Sequence, residues 1–100
     1  MELKEHEKTL IKIYQEVKEM YVSDRSITRI ESLINDAYWI SQNHENLGGF
    51  HTQVRQTLEK ELAALLKVKD KPKLRISAWN DVKKHFLLDF SHMSIRNFLK

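Results

Sequence analysis

The chain has 100 residues, 41% apolar and 31% charged, which fits one globular domain over residues 1–100 and excludes a disordered chain. Two glycines, one proline and no cysteine exclude a turn-rich all-β fold, a disulfide scaffold and thiolate metal sites. Residues 1–66 carry a formal charge of −3 and residues 67–100 carry +6, an asymmetry that concerns partners more than the fold.

The beginning of the sequence is charged and has no apolar core of the kind that signal sequences need. Elsewhere no apolar run approaches the length of a membrane span. We therefore expect a cytoplasmic protein without a membrane partner.

Two helices are predicted in the first half of the chain. Apolar residues that recur every three or four positions predict a helix over 3–22. A second helix is predicted over 26–43, where the apolar arc of about 160° would contact two neighbouring helices. Thr28-x-x-Glu31 has the form of a capping box at its start. Other candidate caps are Ser23, Asp24 and Ser26.

Two more helices are predicted after the Gly48-Gly49 turn. The third covers 50–68, and Pro72 closes the basic loop that follows it. The fourth covers 78–91, with Ser77 as its cap. Two apolar residues before it alternate with charged ones, but we assign them to the loop because no second strand could pair with them. They are Leu74 and Ile76. Expected core residues are Ile34, Leu58, Leu62 and Phe86.

The end of the chain leaves two possibilities open. Beyond Ser91 the apolar residues lie on a different face from Phe86 and Phe90, so either the helix breaks near 91–94 or one helix has two apolar faces. Since short loops make neighbouring helices pack antiparallel, the expected fold is all-α, a small antiparallel bundle of four helices or of four plus a short terminal one.

A dense run of cations lies in the last third of the chain. Lysine and arginine neutralise phosphates, so the run suits nucleic acid, but it also suits an acidic protein or a solvated loop. No aromatic residue interleaves the lysines of the run, so a stacking platform for single strands is missing. The candidate residues are Lys67, Lys69, Lys71, Lys73, Arg75, Lys83 and Lys84.

Two apolar features lie outside the expected core. Trp39 falls opposite the apolar arc of its helix, and a large aromatic residue on a polar face is typical of a binding hot spot. It could equally be covered by a loop or by the end of the chain. A second apolar stripe follows helical spacing near the carboxy terminus and suggests a foreign helix, a homodimer or a contact with the bundle itself. Its members are Leu88, His92, Ile95 and Leu99.

Among the motifs of the sequence, those that contain histidine are the most similar to a catalytic or metal-binding site. The pattern His85-x-x-x-Asp89-x-x-His92 lines up three possible ligands, but bundle metal sites draw ligands from facing helices and no second motif occurs. Near the glycine turn, His44 and His51 lack a converging acid or nucleophile. We expect no metal, no cofactor and no enzymatic activity.

These observations favour a non-enzymatic regulator, inhibitor or adaptor that binds a protein through its last helix and the basic segment. The alternative is a nucleic-acid-binding protein that uses the basic last third of the chain.

Overall fold

A computed structural model describes residues 3–44 and 50–92, except for the side chains of residues 50–53, 57, 61 and 62. Within that part of the chain there are four helices and no strand. They are α1 (Glu5–Glu19), α2 (Asp24–Asn43), α3 (Phe50–Val68) and α4 (Pro72–Ser91). The predicted all-α class is confirmed. Whether residues after His92 form a further helix lies outside the described residues.

The start of α2 differs from the sequence expectation. Ser23 is the N-cap, with φ −139° and ψ 172°, and its N–H donates to Oγ of Ser26 at 2.7 Å. The capping box predicted at Thr28 and Glu31 is therefore wrong, because an N-cap needs extended backbone and both residues are already helical. The helix begins at Asp24, two residues earlier than predicted.

The start of α4 requires a larger correction. The helix begins at Pro72, with Lys71 as its N-cap, so Leu74 and Ile76 are helical and Ser77 is not a cap. Proline is tolerated in the first turn because the N–H that it lacks would have no partner inside the helix there. Pro72 opens the helix instead of closing a loop.

The core is formed by the predicted apolar faces. Ile34 and Phe86 are buried as expected, and Leu58 is partly buried against the core. Leu62 was also expected in the core, but its side chain lies outside the described set. On α2 the buried apolar residues are Ile27, Ile30, Leu33, Ile34, Ala37 and Ile40.

Contacts at both ends of α1 define its direction. The ring of His6 stacks on that of His44, and Glu16 binds Arg29 with its Oε1 2.8 Å from Nε, so α1 runs opposite to α2.

The direction of α4 follows from its contacts with α1 and the loop after it. Lys83 donates to the carbonyl of Met20, and Phe90 lies on Tyr14, so α1 also runs opposite to α4. In addition, α3 packs extensively along α4. Its antiparallel direction stays a prediction.

None of the described helices combines the length and the apolar character that crossing a membrane requires.

Candidate interaction surface

The basic segment forms a tight corner between two helices. The N–H of Lys71 donates to the carbonyl of Val68 at 2.9 Å, and the N–H of Arg75 donates to the carbonyl of Lys71 at 2.9 Å. Only residues 69–71 therefore lie between α3 and α4. We call residues 66–75 the α3–α4 corner.

Cationic and apolar side chains lie together on this corner. Its four lysines are exposed, and they are Lys67, Lys69, Lys71 and Lys73. Leu66 is 73% exposed and Leu74 is 50% exposed. The corner also includes one exposed carboxylate, that of Asp70. The surface is therefore cationic and apolar at once.

Arg75 differs from the lysines because it is partly enclosed. Its side chain is 39% exposed, and Nη2 lies 3.6 Å from Oδ1 of Asp24 at the start of α2. Its Nε is buried and has no hydrogen-bond partner among the described residues. Since 3.6 Å exceeds an ordinary hydrogen bond, Asp24 attracts the guanidinium without a close contact.

Two predicted members of the basic surface lie away from the corner. Lys83 is eight residues beyond Arg75, about 12 Å along a helix. Its Nζ donates to the carbonyl of Met20 in the α1–α2 connection. Lys84 is exposed on the same part of α4. Lys83 and Lys84 thus lie about two turns of α4 away from the corner.

A groove of about 310 Å³ opens between α2, α3 and α4 beside the corner, and we call it the corner groove. Buried Ile27, Leu65 and Trp79 contribute to its lining, with exposed Leu66 beside them. The polar lining residues are Thr28, Glu31, Lys69 and Arg75. The groove thus combines apolar walls with two cations and one carboxylate.

Trp39 is 66% exposed, which confirms that it lies outside the buried face of α2. It follows Asp24 by fifteen residues, about 22 Å along the helix axis. The corner groove is at the Asp24 end, so Trp39 and the groove belong to different ends of α2. A binding role for Trp39 stays a prediction.

The predicted carboxy-terminal stripe is described only at its beginning. Leu88 is 58% exposed and His92 is exposed, whereas Ile95 and Leu99 lie outside the described residues. Leu88 is thirteen residues from Arg75, about 20 Å along α4. Leu88 and the α3–α4 corner are therefore at different ends of α4.

The histidines form a pair that the sequence did not suggest. The rings of His6 and His44 stack with centroids 3.6 Å apart and planes 5° from parallel. Partial burial and the nearby His44 lower the pKa of His6. Among the side chains that the structure describes, no group of three His, Cys, Asp or Glu could hold a metal ion. The predicted turn residue His51 has its side chain outside the described set.

Sequence reasoning missed the corner groove because its walls come from three separated segments. One signal was present, since Leu66 is an apolar residue outside the stripe predicted for the third helix. Comparisons with family models, curated proteins and solved structures give no match for this chain.

Proposed function

We propose that the chain is a non-enzymatic protein-binding module, a regulator, inhibitor or adaptor, that contacts its partner through the α3–α4 corner. The observation that carries the proposal is the exposure of Leu66 and Leu74 among four exposed lysines. Neighbouring apolar groups with a polar rim are typical of a surface that another protein covers. We keep the cytoplasmic location predicted from the sequence as part of this proposal.

The basic character of the corner favours an acidic partner. Lysines on an interface rim speed association with a surface of opposite charge and suppress contact with basic proteins. The leucines supply the apolar area that such a rim lacks. The partner should therefore present carboxylates around an apolar centre.

Nucleic acid is the second candidate, and the four exposed lysines favour it. Two features of the same surface favour protein instead. Asp70 and Glu31 place carboxylates where phosphates would approach. Leu66 and Leu74 add nothing to a phosphate contact, since phosphate binding depends on cations and hydrogen-bond donors.

Affinity capture from the native lysate tests the proposal when it compares two matched double substitutions. Leu66→Glu with Leu74→Glu changes the corner, whereas Trp39→Glu with Leu88→Glu changes the rival surfaces. All four residues are at least half exposed, so both variants should keep the helix content and thermal stability of the parent chain. We expect the corner variant to lose its protein partner and the other variant to retain it.

A nuclease-treated arm separates protein from nucleic acid. Capture that disappears after nuclease treatment would assign the corner to nucleic acid. Loss of capture only in the Trp39 and Leu88 variant would move the interface to that end of the molecule, where the stripe could also form a homodimer.

A further inference from the structure

The corner groove has the size of a side-chain pocket. Its volume of about 310 Å³ is near the lower end of the range for small-molecule sites, which is about 300–1,000 Å³. Liquid water of that volume contains about ten molecules. Such a space suits one or two apolar side chains.

The apolar lining of the groove belongs largely to the core. Ile27, Leu65 and Trp79 are core residues that are almost entirely buried, and all three line the groove. A side chain that enters would displace water from these walls without a rearrangement of the core. Displacement of water from apolar surface favours binding.

The charges around the groove determine which residues of a partner can flank the side chain that enters it. Lys69 and Arg75 line it together with one carboxylate, that of Glu31, and the other corner lysines lie beyond. The long 3.6 Å separation between Arg75 and Asp24 leaves the guanidinium suited to a closer, bidentate contact with a second carboxylate. Acidic groups beside the entering side chain would complement these cations.

The exposed leucines favour a protein segment over a small molecule. Leu74 is half exposed and is not part of the groove lining, so a ligand confined to the groove would leave it in water. A peptide segment that placed one side chain in the groove would continue across the corner and cover Leu74. The area around the groove is therefore matched to a chain that extends beyond it.

We infer that the corner groove accepts a large apolar side chain from an acidic segment of a partner protein, with carboxylates on either side that bind Lys69 and Arg75. This inference rests on the proposed function and adds the chemistry of the partner. The large apolar residue at the centre of the partner segment would occupy the corner groove, and the corner lysines would surround that residue.

Selection from a random peptide library displayed on phage tests the inference with the intact chain as bait. We expect enriched peptides to contain leucine, phenylalanine or tryptophan flanked by aspartate or glutamate. A synthetic copy of the best peptide would then be titrated against the Trp39→Phe protein, in which Trp79 alone reports by fluorescence. A saturable change in Trp79 emission would show that the groove is occupied.

Two pairs of substitutions separate the groove from its surroundings. Thr28→Phe fills the groove and should weaken the peptide on the order of tenfold or more, about 1.4 kcal/mol. Ser32→Phe adds the same ring one turn along α2, outside the lining, and should have no effect. Lys69→Gln should weaken binding by up to about fivefold, as for an exposed ion pair, whereas Lys60→Gln should not.

Other outcomes would overturn the inference. They are an absence of enriched peptides, enrichment of neutral or basic ones, or equal binding to the Thr28→Phe and Ser32→Phe proteins. Octanoate that bound as tightly as the peptide would make the groove a small-molecule site. If Thr28→Phe kept the lysate partner while the double leucine variant lost it, the proposed function would stand and the inference would fail.

Discussion

Phe90 joins the last turn of α4 to the middle of α1. Its side chain is fully buried, and its ring centroid lies 4.8 Å from that of Tyr14 and 5.9 Å from that of Phe86. Aromatic pairs at these distances contribute beyond their buried area. Phe90 therefore packs the end of α4 against the core.

Phe90→Ala should lower the free energy of unfolding by about 3–5 kcal/mol, because it removes a large side chain and leaves a cavity. Leu88→Ala, two residues earlier on an exposed position, should change it by less than about 0.5 kcal/mol. Urea unfolding measures both. Equal effects of the two substitutions would contradict the assignment of faces on α4. The comparable expectation for Leu62→Ala, about 2–5 kcal/mol, stays a prediction.

The stacked histidines predict a pH dependence of stability. Burial and His44 lower the pKa of His6 below its ordinary value of 6.5, and Lys4 adds to this whereas Glu7 opposes it. The unfolded chain then binds a proton more tightly than the folded chain does. Stability should be full above pH 6.5, fall as the pH drops below that value, and level off below the folded pKa.

Urea unfolding between pH 5 and 8 checks this dependence, with His6→Gln as the test and His92→Gln at an exposed position as the control. The His6 variant should lose part of the acid-dependent decrease and the His92 variant should keep it. An NMR titration of His6 with a midpoint at or above 6.5 would contradict the expectation.

The position at which α4 begins can be tested with a proline at Ser77. Because α4 starts at Pro72, position 77 lies inside the helix, where proline removes a backbone hydrogen bond and clashes with the preceding turn. Ser77→Pro should cost about 3 kcal/mol or more, whereas Ser77→Ala should be neutral or slightly stabilising. Had the helix begun at 78, proline at 77 would be tolerated. A mild effect in thermal unfolding would support that later start.

The helices could be predicted from the sequence because burial follows the apolar spacing. The third segment agrees at both ends, and the buried apolar residues of α2 all belong to the predicted arc, whereas buried Ser41 does not. The ends were harder to predict where two local signals compete. Ser23 and Thr28 both offer hydroxyl caps, and Pro72 can either close a loop or open a helix. The choice depends on neighbouring helices, which periodicity does not reveal.

At the scale of the whole molecule, the corner combines an apolar and an ionic contribution to binding. Nucleic acid bound through the four corner lysines would give a slope of log K against log salt of about −0.9 per neutralised phosphate. We expect a shallower slope for the captured protein partner, because apolar contacts respond little to salt. A binding titration at salt concentrations from about 50 to about 500 mM, which bracket the physiological value, measures this slope.

Substitution of single lysines provides the control for this measurement. If nucleic acid is the partner, replacement of Lys69, Lys71, Lys73 or Lys84 by glutamine should each reduce the slope by about one unit, without sequence preference. Such uniform changes would contradict a protein partner. For the proposed interface, we expect replacement of Lys84 by glutamine to leave the slope unchanged, because Lys84 lies away from the corner.

The candidate surface was only partly predictable because it depends on how separated segments meet. The charge run identified the corner lysines and Arg75, and helical phase identified Trp39 and Leu88 as outside the core. The groove, in contrast, forms where the start of α2, the end of α3 and the start of α4 come together, which the sequence pattern does not reveal. The bond from Lys83 to Met20, which occupies one donor of the Lys83 amine, likewise joins residues 63 positions apart.

That bond has a consequence for the chemical reactivity of the protein. Among the lysines whose side chains the structure describes, Lys83 alone is half-buried and the others are exposed, and its amine is held by a carbonyl of the α1–α2 connection. The neutral amine is the nucleophile that attacks an acylating reagent and displaces its leaving group, so an ammonium group held by a carbonyl should react more slowly than that of its neighbour Lys84. Mass spectrometry after brief acetylation should find Lys84 modified well before Lys83, and equal rates would show that the bond does not persist in solution. Once Lys83 is acetylated, its charge is lost and one N–H donor is left, so the hydrogen bond that joins α4 to the α1–α2 connection should weaken.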